Sequence, residues 1–363
     1  MKKKGNYYSS DNIRKKNATY NLVIGQRSNG KTYDWAERLL ERRSKNPDFT
    51  GAYIRRMEVD VLPKNLATLF DSHDIAKMFK NKFNAVEYKS RMFTLVYKED
   101  GVVLAKDDKP FCYAFALNTW ESAKGADRGH IHTICFDEFM TRRLYLHDEF
   151  IIFQNILSSI IRDRADVEIF MLANTVNKYC PYFKEMGLTR IEDMKQGDID
   201  VYTYGDSGLS VAVEYCAESK NTAAVKHIYA FDNPQLEMIT TGTWEIALYP
   251  HCPISVSNSD IYKKFYIKFN GKTICGDIVK TSDMLFILYH EHTSNYKPTN
   301  KDVIYLDQHD GCIMHCKYLI EKPTELHKLI ASLIGFEREF YSDNTVGEVV
   351  RNWKLNVAMN KVV

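Results

Sequence analysis

The sequence predicts an α/β fold with a mainly parallel sheet, then a connector and a smaller α/β or α+β unit. Three observations lead there. Short apolar runs alternate with helical segments over residues 20–175, the pattern of strand–helix–strand crossovers. One run opens onto Gly25-Gln26-Arg27-Ser28-Asn29-Gly30-Lys31-Thr32 and then a helix. From residue 261 the chain changes to successive strands.

Taken in order, Tyr20–Ile24 is a short buried strand, and Thr32–Arg43 is a helix with Trp35, Leu39 and Leu40 on one side and Glu37, Arg38, Glu41 and Arg42 on the other. Gly51–Ile54 is a second strand, followed by Arg55-Arg56, and residues 60–90 are read as loosely patterned helix. Met92–Tyr97 and Phe111–Leu117 read as strands, with a turn at Glu99-Asp100-Gly101. A polar loop of small residues (118–129) precedes the apolar run His132–Phe136, which ends in Asp137-Glu138. Phe150–Ile161 is an apolar helix closed by Arg162-Asp163-Arg164, and Glu168–Ala173 is a buried strand ending at Asn174-Thr175. In the second unit, Ile261–Phe269, Lys272–Val279, Met284–His290 and Val303–Leu306 are strands, the first two joined at the hairpin signal Asn270-Gly271. Helices at Glu325–Phe336 and Val346–Met359 close the chain. The boundaries read are 1–216, 217–247 and 248–363.

Composition limits the function classes. Of 363 residues, 45% are hydrophobic and 26% charged, which excludes a disordered tail, a collagen-like fibre and a coiled-coil rod. No apolar run approaches the ~18–20 residues that cross a bilayer, so no membrane partner is expected. The basic N-terminus has no apolar stretch behind its lysines and is not read as a secretory signal. Eight scattered cysteines read as reduced thiols in a cytosolic compartment. The local cluster Cys312, His315 and Cys316 has no matching second cluster, so packed thiols are the favoured reading there over zinc. Net charge is only +2, but residues 1–56 carry 14 Lys+Arg against 5 Asp+Glu. That excess is either a basic face for nucleic acid or phosphate, or a solvated tail and helix face.

The chemistry concentrates in four places. Gly25–Thr32 matches G-x-x-x-x-G-K-[ST] between a strand and a helix. Its glycines let backbone N–H groups of Gln26, Arg27, Ser28 and Asn29 face phosphates, and the helix N-terminus beyond Gly30 adds a positive dipole end. Lys31 would reach the β- and γ-phosphates of ATP, Thr32 would give its hydroxyl to Mg²⁺, and Tyr33 would flank the nucleotide. Ile134–Glu138 has the Walker B form: Asp137 for the Mg²⁺ shell and Glu138 to polarise the attacking water. The second acid and the intervening strands fit the additional-strand catalytic-glutamate (ASCE, RecA-like) ATPase class. Asn174, at the tip of the next strand, is either a γ-phosphate sensor or a turn residue. Arg162 and Arg164 are either a finger reaching a neighbour's site or helix-end cations favouring the dipole.

The blocks NLVIGQRSNGKTY, YIRRM, LNTWESAKG, HTICFDEF and IIRDRADVEIFMLANTV…NKYCPYF, in that order, resemble the DNA-packaging ATPases of phi29-like short-tailed phages. FNGKTICGDIV adds a weaker similarity, so the likeness spans the chain while its specific motifs lie in the N-terminal half. The resemblance implies a homo-pentameric ring on a phage portal. It would push double-stranded DNA into a procapsid in the host cytoplasm, with a packaging RNA as a further partner in some members. It implies that Lys31, Thr32, Asp137 and Glu138 bind and hydrolyse ATP, that Arg162 is a trans-acting finger, and that Lys124 also acts across the interface. Arg55 and Arg56 match an arginine pair of a lid over the nucleotide; their other reading is plain surface charge. DNA would be gripped non-specifically through its backbone, in a salt-sensitive way, with Lys124, Arg128, Arg142, Arg143 and Lys178 as candidates. The C-terminal unit would be an RNase H-like α+β domain that has lost catalysis, with Asp277 on its first strand and Asp307 and Asp310 further on. IYKKFYIKF (261–269) is either a nucleic-acid face or an ordinary half-exposed strand. Rival readings are a large terminase with a working nuclease, which needs converging carboxylates, a non-motor P-loop scaffold, and a cellular AAA+-like helicase.

Overall fold

A computed structural model of the chain describes residues 7–123, 130–162, 164–217, 243–244, 247–299, 301–306 and 324–359. The chain divides into two compact units, Met1–Glu245 and Ile246–Val363. The proposed connector, 217–247, lies almost wholly outside the described residues. Among them no helix is long and apolar enough to cross a membrane.

The first unit is a ten-stranded sheet. Its strands are β1 (Tyr20–Gly25), β2 (Thr50–Arg55), β3 (Ala85–Lys89), β4 (Met92–Glu99), β5 (Val102–Lys106), β6 (Cys112–Ala116), β7 (Ile131–Asp137), β8 (Glu168–Asn174), β9 (Ile199–Thr203) and β10 (Ser210–Tyr215). The order is β3-β4-β6-β2-β7-β8-β1-β10-β9, with β5 on β4. The six strands from β6 to β10 run parallel, and β3, β4, β5 and β9 are antiparallel additions. Such a parallel centre needs cover on both faces. Helix α1 (Lys31–Lys45) packs Trp35, Leu39 and Leu40 against Val23, Tyr53 and Cys135 on one face. Helix α2 (Glu149–Ile161) packs Phe153, Ile156 and Leu157 against Ile24, Phe136 and Met171 on the other.

Residues 60–90 differ from the expected loose helix. They hold two single-turn helices, Pro63–Leu66 and Ile75–Met78, and the strand β3. Ser90 and Arg91, both at positive φ (52° and 61°), turn β3 back onto β4, the geometry of a two-residue hairpin. The Asp100-Gly101 turn joins β4 to β5, a fully exposed strand that the sequence reading lacked because its apolar residues are not alternately buried.

Part of the basic excess of residues 1–56 is paired with carboxylates of the first unit. Arg14 and Arg42 both pair with Glu168, at 2.6 and 3.0 Å. Buried Arg43 reaches Asp107 at 2.8 Å, and Arg38 pairs with Asp11 at 2.6 Å. These four arginines are counter-ions, whereas Lys15, Lys16 and Lys45 of the same segment are exposed.

The second unit is a five-stranded sheet of β11 (Ile261–Phe269), β12 (Lys272–Lys280), β13 (Leu285–Glu291), β14 (Ile304–Leu306) and β15 (Glu339–Tyr341), in the order β14-β11-β12-β13-β15. The β11-β12-β13 meander is antiparallel and both edge strands run parallel to their neighbours. Helices α3 (Glu325–Gly335) and α4 (Asn344–Met359) follow in the chain. Asn270 and Gly271 are both at positive φ (49° and 75°), as the hairpin requires. Asp277 lies on the central, second strand of the meander rather than a first one. In 261–269 the aromatics Phe265, Tyr266 and Phe269 are buried, while Tyr262 is exposed with Lys263 and Lys280 over its ring, so the basic–aromatic character is confined to the start of the strand.

Candidate nucleotide site

The site forms where β1, β7 and β8 end side by side. Strand β8 lies between β1 and β7, so Asn174 is directly opposite Gly25 in the parallel register. This insertion brings three separate sequence signals to one edge. Gly25 has no room for a side chain, since a Cβ there would lie 2.7 Å from Cys216 Cβ. Gly30 is the N-cap of α1 at φ 96°, a conformation that side-chain-bearing residues rarely adopt.

Lys31 is buried, and its ammonium is fully engaged. It donates to Gln26 O at 2.7 Å, Gly25 O at 3.3 Å, Asn29 Oδ1 at 3.1 Å and Asn174 Oδ1 at 3.2 Å. Burial lowers its pKa to about 8, against the pull of nearby Asp137. A phosphate entering the loop would replace these neutral acceptors with charged ones. Thr32 Oγ1 donates to Asp137 Oδ2 at 3.0 Å. Two hard oxygens this close at the end of a phosphate loop are the donor type that Mg²⁺ takes. A cavity of about 390 Å³ opens here, lined by Arg27–Tyr33, Asp137, Glu138, Ala173 and Asn174.

Tyr53 was not found from sequence. It is buried on β2 and its hydroxyl donates to Asp137 Oδ2 at 2.6 Å. Burial and the Asp137 charge hold that phenol well above its usual range. Nothing in its local sequence marks it; only the β2–β7 pairing puts Tyr53 beside the Asp137 strand. Glu138 is at positive φ (55°), beyond the strand, with its side chain more than half exposed.

The arginine pair is split. Arg55 Nη2 donates to Glu138 Oε2 at 2.7 Å and its Nη1 is 4.0 Å from Asp137 Oδ2. Arg56 points elsewhere, bonding both oxygens of buried Glu149 at 2.8 and 3.0 Å. It also holds the carbonyls of Glu138 and Phe139 at 3.1 and 2.6 Å, while Tyr182 donates to Glu149 at 2.9 Å. Neither arginine lines the phosphate-loop cavity; Arg55 lines an adjoining one with Tyr53 and Asp60. The surface-charge alternative is corrected for Arg56: an unpaired carboxylate at Glu149 is too costly to bury, and Arg56 is its counter-ion.

Arg162 and Arg164 also separate. Arg164 donates to Ile160 O and Ile161 O at 3.0 and 3.2 Å, closing two orphan carbonyls of the α2 C-terminus, and to Ile131 O at the start of β7 at 2.7 Å. Arg162 is exposed, at φ 53°, and its side chain has no partner among the described residues. Of the DNA candidates, Lys124 and Arg128 lie outside the described residues, as do Asp307, Asp310 and the Cys312, His315 and Cys316 cluster. Arg142 is half-buried and bonded to Val176 O at 3.1 Å, so it is not a free surface cation. Arg143 is exposed, and Lys178 lies 5.7 Å over the Tyr179 ring.

The chain is similar to known proteins along nearly its whole length. The DNA packaging protein of Bacillus phage B103 is 29% identical over 335 residues, covering 88% of this chain and 92% of that protein. That of Bacillus phage PZA is 26% identical over 352 residues, covering 95% of each. In the solved viral genome packaging motor assembly of bacteriophage phi-29, one chain shares the fold with a TM-score of 0.55 at 19% identity, covering 97% of this chain and 99% of that one. A family model, the Podovirus DNA encapsidation protein (Gp16), matches residues 1–354. With that match spanning both units, the chain belongs to the Podovirus DNA encapsidation protein (Gp16) family.

Proposed function

We propose that this DNA-packaging protein is an ATP-hydrolysing motor subunit that works in a homo-pentameric ring on the phage portal. The observation that carries the reading is the meeting of Lys31, Thr32, Asp137, Glu138 and Asn174 around one cavity. Lys31 would exchange its amide and carbonyl acceptors for β- and γ-phosphate oxygens of ATP. Thr32 and Asp137 would hold Mg²⁺, which supplies charge neutralisation between the phosphates when bound. Glu138 would orient and polarise the attacking water once released from Arg55, and Asn174 would sense the γ-phosphate. The backbone N–H groups of the loop would cradle the remaining phosphate oxygens.

Exposure and the lack of a partner among the described residues support Arg162 as the finger that a neighbour's site receives. Lys124 is proposed to act across the same interface. The backbone of double-stranded DNA would be gripped by loop cations, with Arg143 the best supported of those described because it is exposed. For residues 248–363 we read an RNase H-like domain without nuclease chemistry, reached through a connector at 217–247 and open to a packaging RNA. The mixed sheet with its antiparallel meander supports the fold reading. The surroundings of Asp277, which include Lys264 at 3.3 Å, support the loss of catalysis. The protein would act in the host cytoplasm, transiently on the procapsid portal.

The test is steady-state ATP hydrolysis with and without double-stranded DNA, at low and moderate salt, for wild type, Glu138→Gln and Arg162→Ala, alone and mixed. The motor reading expects DNA stimulation, loss in both variants, and disproportionate poisoning by a minority of variant subunits. Full activity of Arg162→Ala would remove the finger, and turnover unaffected by Glu138→Gln would remove the catalytic assignment.

A further inference from the structure

On one face of the second unit's sheet, three donors of different chemistry come together. Cys275 on β12 is directly opposite His290 on β13 in the antiparallel register, and Asp277 follows two residues later on the same face. Cys275 Sγ lies 3.3 Å from Asp277 Oδ1, and His290 Nε2 lies 3.2 Å from Asp277 Oδ2. All three ligand atoms are within 4.8 Å of one another. A tetrahedral ion with bonds of ~2.0–2.3 Å has ligand–ligand edges of roughly 3.3–3.7 Å; the thiol and the imidazole each stand near that spacing from the carboxylate, at its two different oxygens.

Of the neighbours, one prepares the imidazole for a metal and one, Lys264, opposes a cation until it moves. His290 Nδ1 is 2.9 Å from the Glu291 carbonyl oxygen. That bond puts a proton on Nδ1 and turns Nε2 into the cluster, the second-shell arrangement of metal-bound imidazoles. Cys275 and Asp277 are 2% and 5% exposed, while His290 is partly open and gives the cluster a mouth. Lys264, cross-strand from Asp277, sets its ammonium 3.3 Å from Oδ1 on a side chain about half exposed. It neutralises the carboxylate in the free protein and competes with an ion there, and its half-exposed side chain can swing back to water.

We infer that Cys275, Asp277 and His290 form a three-ligand site for a zinc-class divalent ion, with the fourth position left to water. Sulfur, imidazole and one carboxylate suit Zn²⁺ or Co²⁺ and not the all-oxygen shell of Mg²⁺. The site is therefore distinct from a two-metal nuclease centre: among the described residues no second carboxylate joins the cluster. On binding, the Cys275 thiol and the His290 Nε2–H that faces Asp277 in the free protein both give their protons to solvent, and the Lys264 ammonium withdraws. The thiolate and carboxylate then balance the dication.

The test is a Co²⁺ titration of the full-length, chelator-treated protein, with Zn²⁺ as competitor. The expected result is one equivalent of tetrahedral Co²⁺ with a thiolate-to-cobalt charge-transfer band, displaced by Zn²⁺ and unaffected by excess Mg²⁺. The band should be lost in Cys275→Ser, lose most of its intensity in His290→Gln, and persist in the Cys312→Ser/Cys316→Ser double variant. Lys264→Ala should bind roughly tenfold more tightly, because a like charge beside the ion is gone. Absence of the band in wild type overturns the site. So does a band that survives Cys275→Ser or disappears with Cys312 and Cys316. If Cys275→Ser fails to fold, unchanged Co²⁺ affinity in both His290→Gln and Lys264→Ala overturns it instead.

Discussion

Arg55 holds Glu138 by a 2.7 Å charge-assisted hydrogen bond, so the carboxylate proposed to activate water is tied to its own chain's second strand. The bond is half in water and is worth about 0.5–1 kcal/mol. Arg55→Ala should raise DNA-independent ATP turnover by roughly 2–5-fold and narrow the ratio of DNA-stimulated to basal rate. Steady-state rates with and without DNA decide it: a lower basal rate with an unchanged ratio would mean that Arg55 does not restrain Glu138.

Nucleotide affinity should weaken unusually early in alkali. The free protein's Lys31 has its pKa lowered to about 8 by burial, and phosphate needs the charged form. Between about pH 8 and the unfolded value of ~10.4, the unfolded chain binds more protons, so the nucleotide-free fold gains stability as pH rises. Over the same window ATP binding loses its cation, and affinity at pH 9 should be about tenfold below its neutral plateau. A fluorescent-nucleotide titration from pH 7 to 9.5 checks this, with Lys31→Arg as the variant that stays flat.

Arg56 should behave as a stability residue. Removing it strands the buried Glu149 carboxylate, which costs about 3 kcal/mol and roughly 6–12 °C of melting temperature in a unit of this size. In the folded fraction of Arg56→Ala, ATP affinity should stay within a few-fold of wild type. A wild-type melting curve combined with lost nucleotide binding would return Arg56 to the lid.

Arg162 and Arg164 should give opposite phenotypes. Arg164→Ala opens two carbonyls at the α2 C-terminus and one at the start of β7 and should lower stability by about 1.5–3 kcal/mol. Arg162→Ala should melt within about 0.5 kcal/mol of wild type while abolishing turnover. Thermal melts alongside rate measurements separate the two, and a destabilised Arg162→Ala would contradict the assignment.

Glu214 should make the first unit sensitive to pH near neutrality. Burial raises its pKa to about 7, although Tyr8 donates to it at 2.8 Å. Between the unfolded value of ~4.3 and 7 the folded state binds the extra proton, so stability is present below that window and declines as pH rises through it. Glu214→Gln should therefore stabilise the protein at pH 8, by on the order of 2 kcal/mol, and do little at pH 4. Paired melts at the two values measure it; an equal shift at both would mean that the effect is not the charge.

Much of this molecule is legible in short stretches of its sequence. The phosphate loop, the Asp137-Glu138 strand end, the buried strands and the Asn270-Gly271 hairpin are contiguous patterns, because backbone conformation and burial are decided within a few residues. The exposed strand β5 and the hairpin strand β3 were missed for the same reason: Val102–Lys106 is apolar but pairs at an edge, and Ala85–Lys89 has too short a pattern to tell from helix.

The strand–loop–helix phosphate site and the residues of its loop are written in consecutive positions of the chain. Which partner each charged group takes depends on how distant strands pack together. Adjacent Arg55 and Arg56 have the same chemistry, yet one faces Glu138 and the other is buried with Glu149. Arg162 and Arg164 divide in the same way, and the buried hydroxyls of Tyr53 and Tyr182 go to different carboxylates, Asp137 and Glu149. A charge or hydroxyl is satisfied by what lies within about 3 Å of it, and sheet order, not sequence neighbourhood, sets that distance.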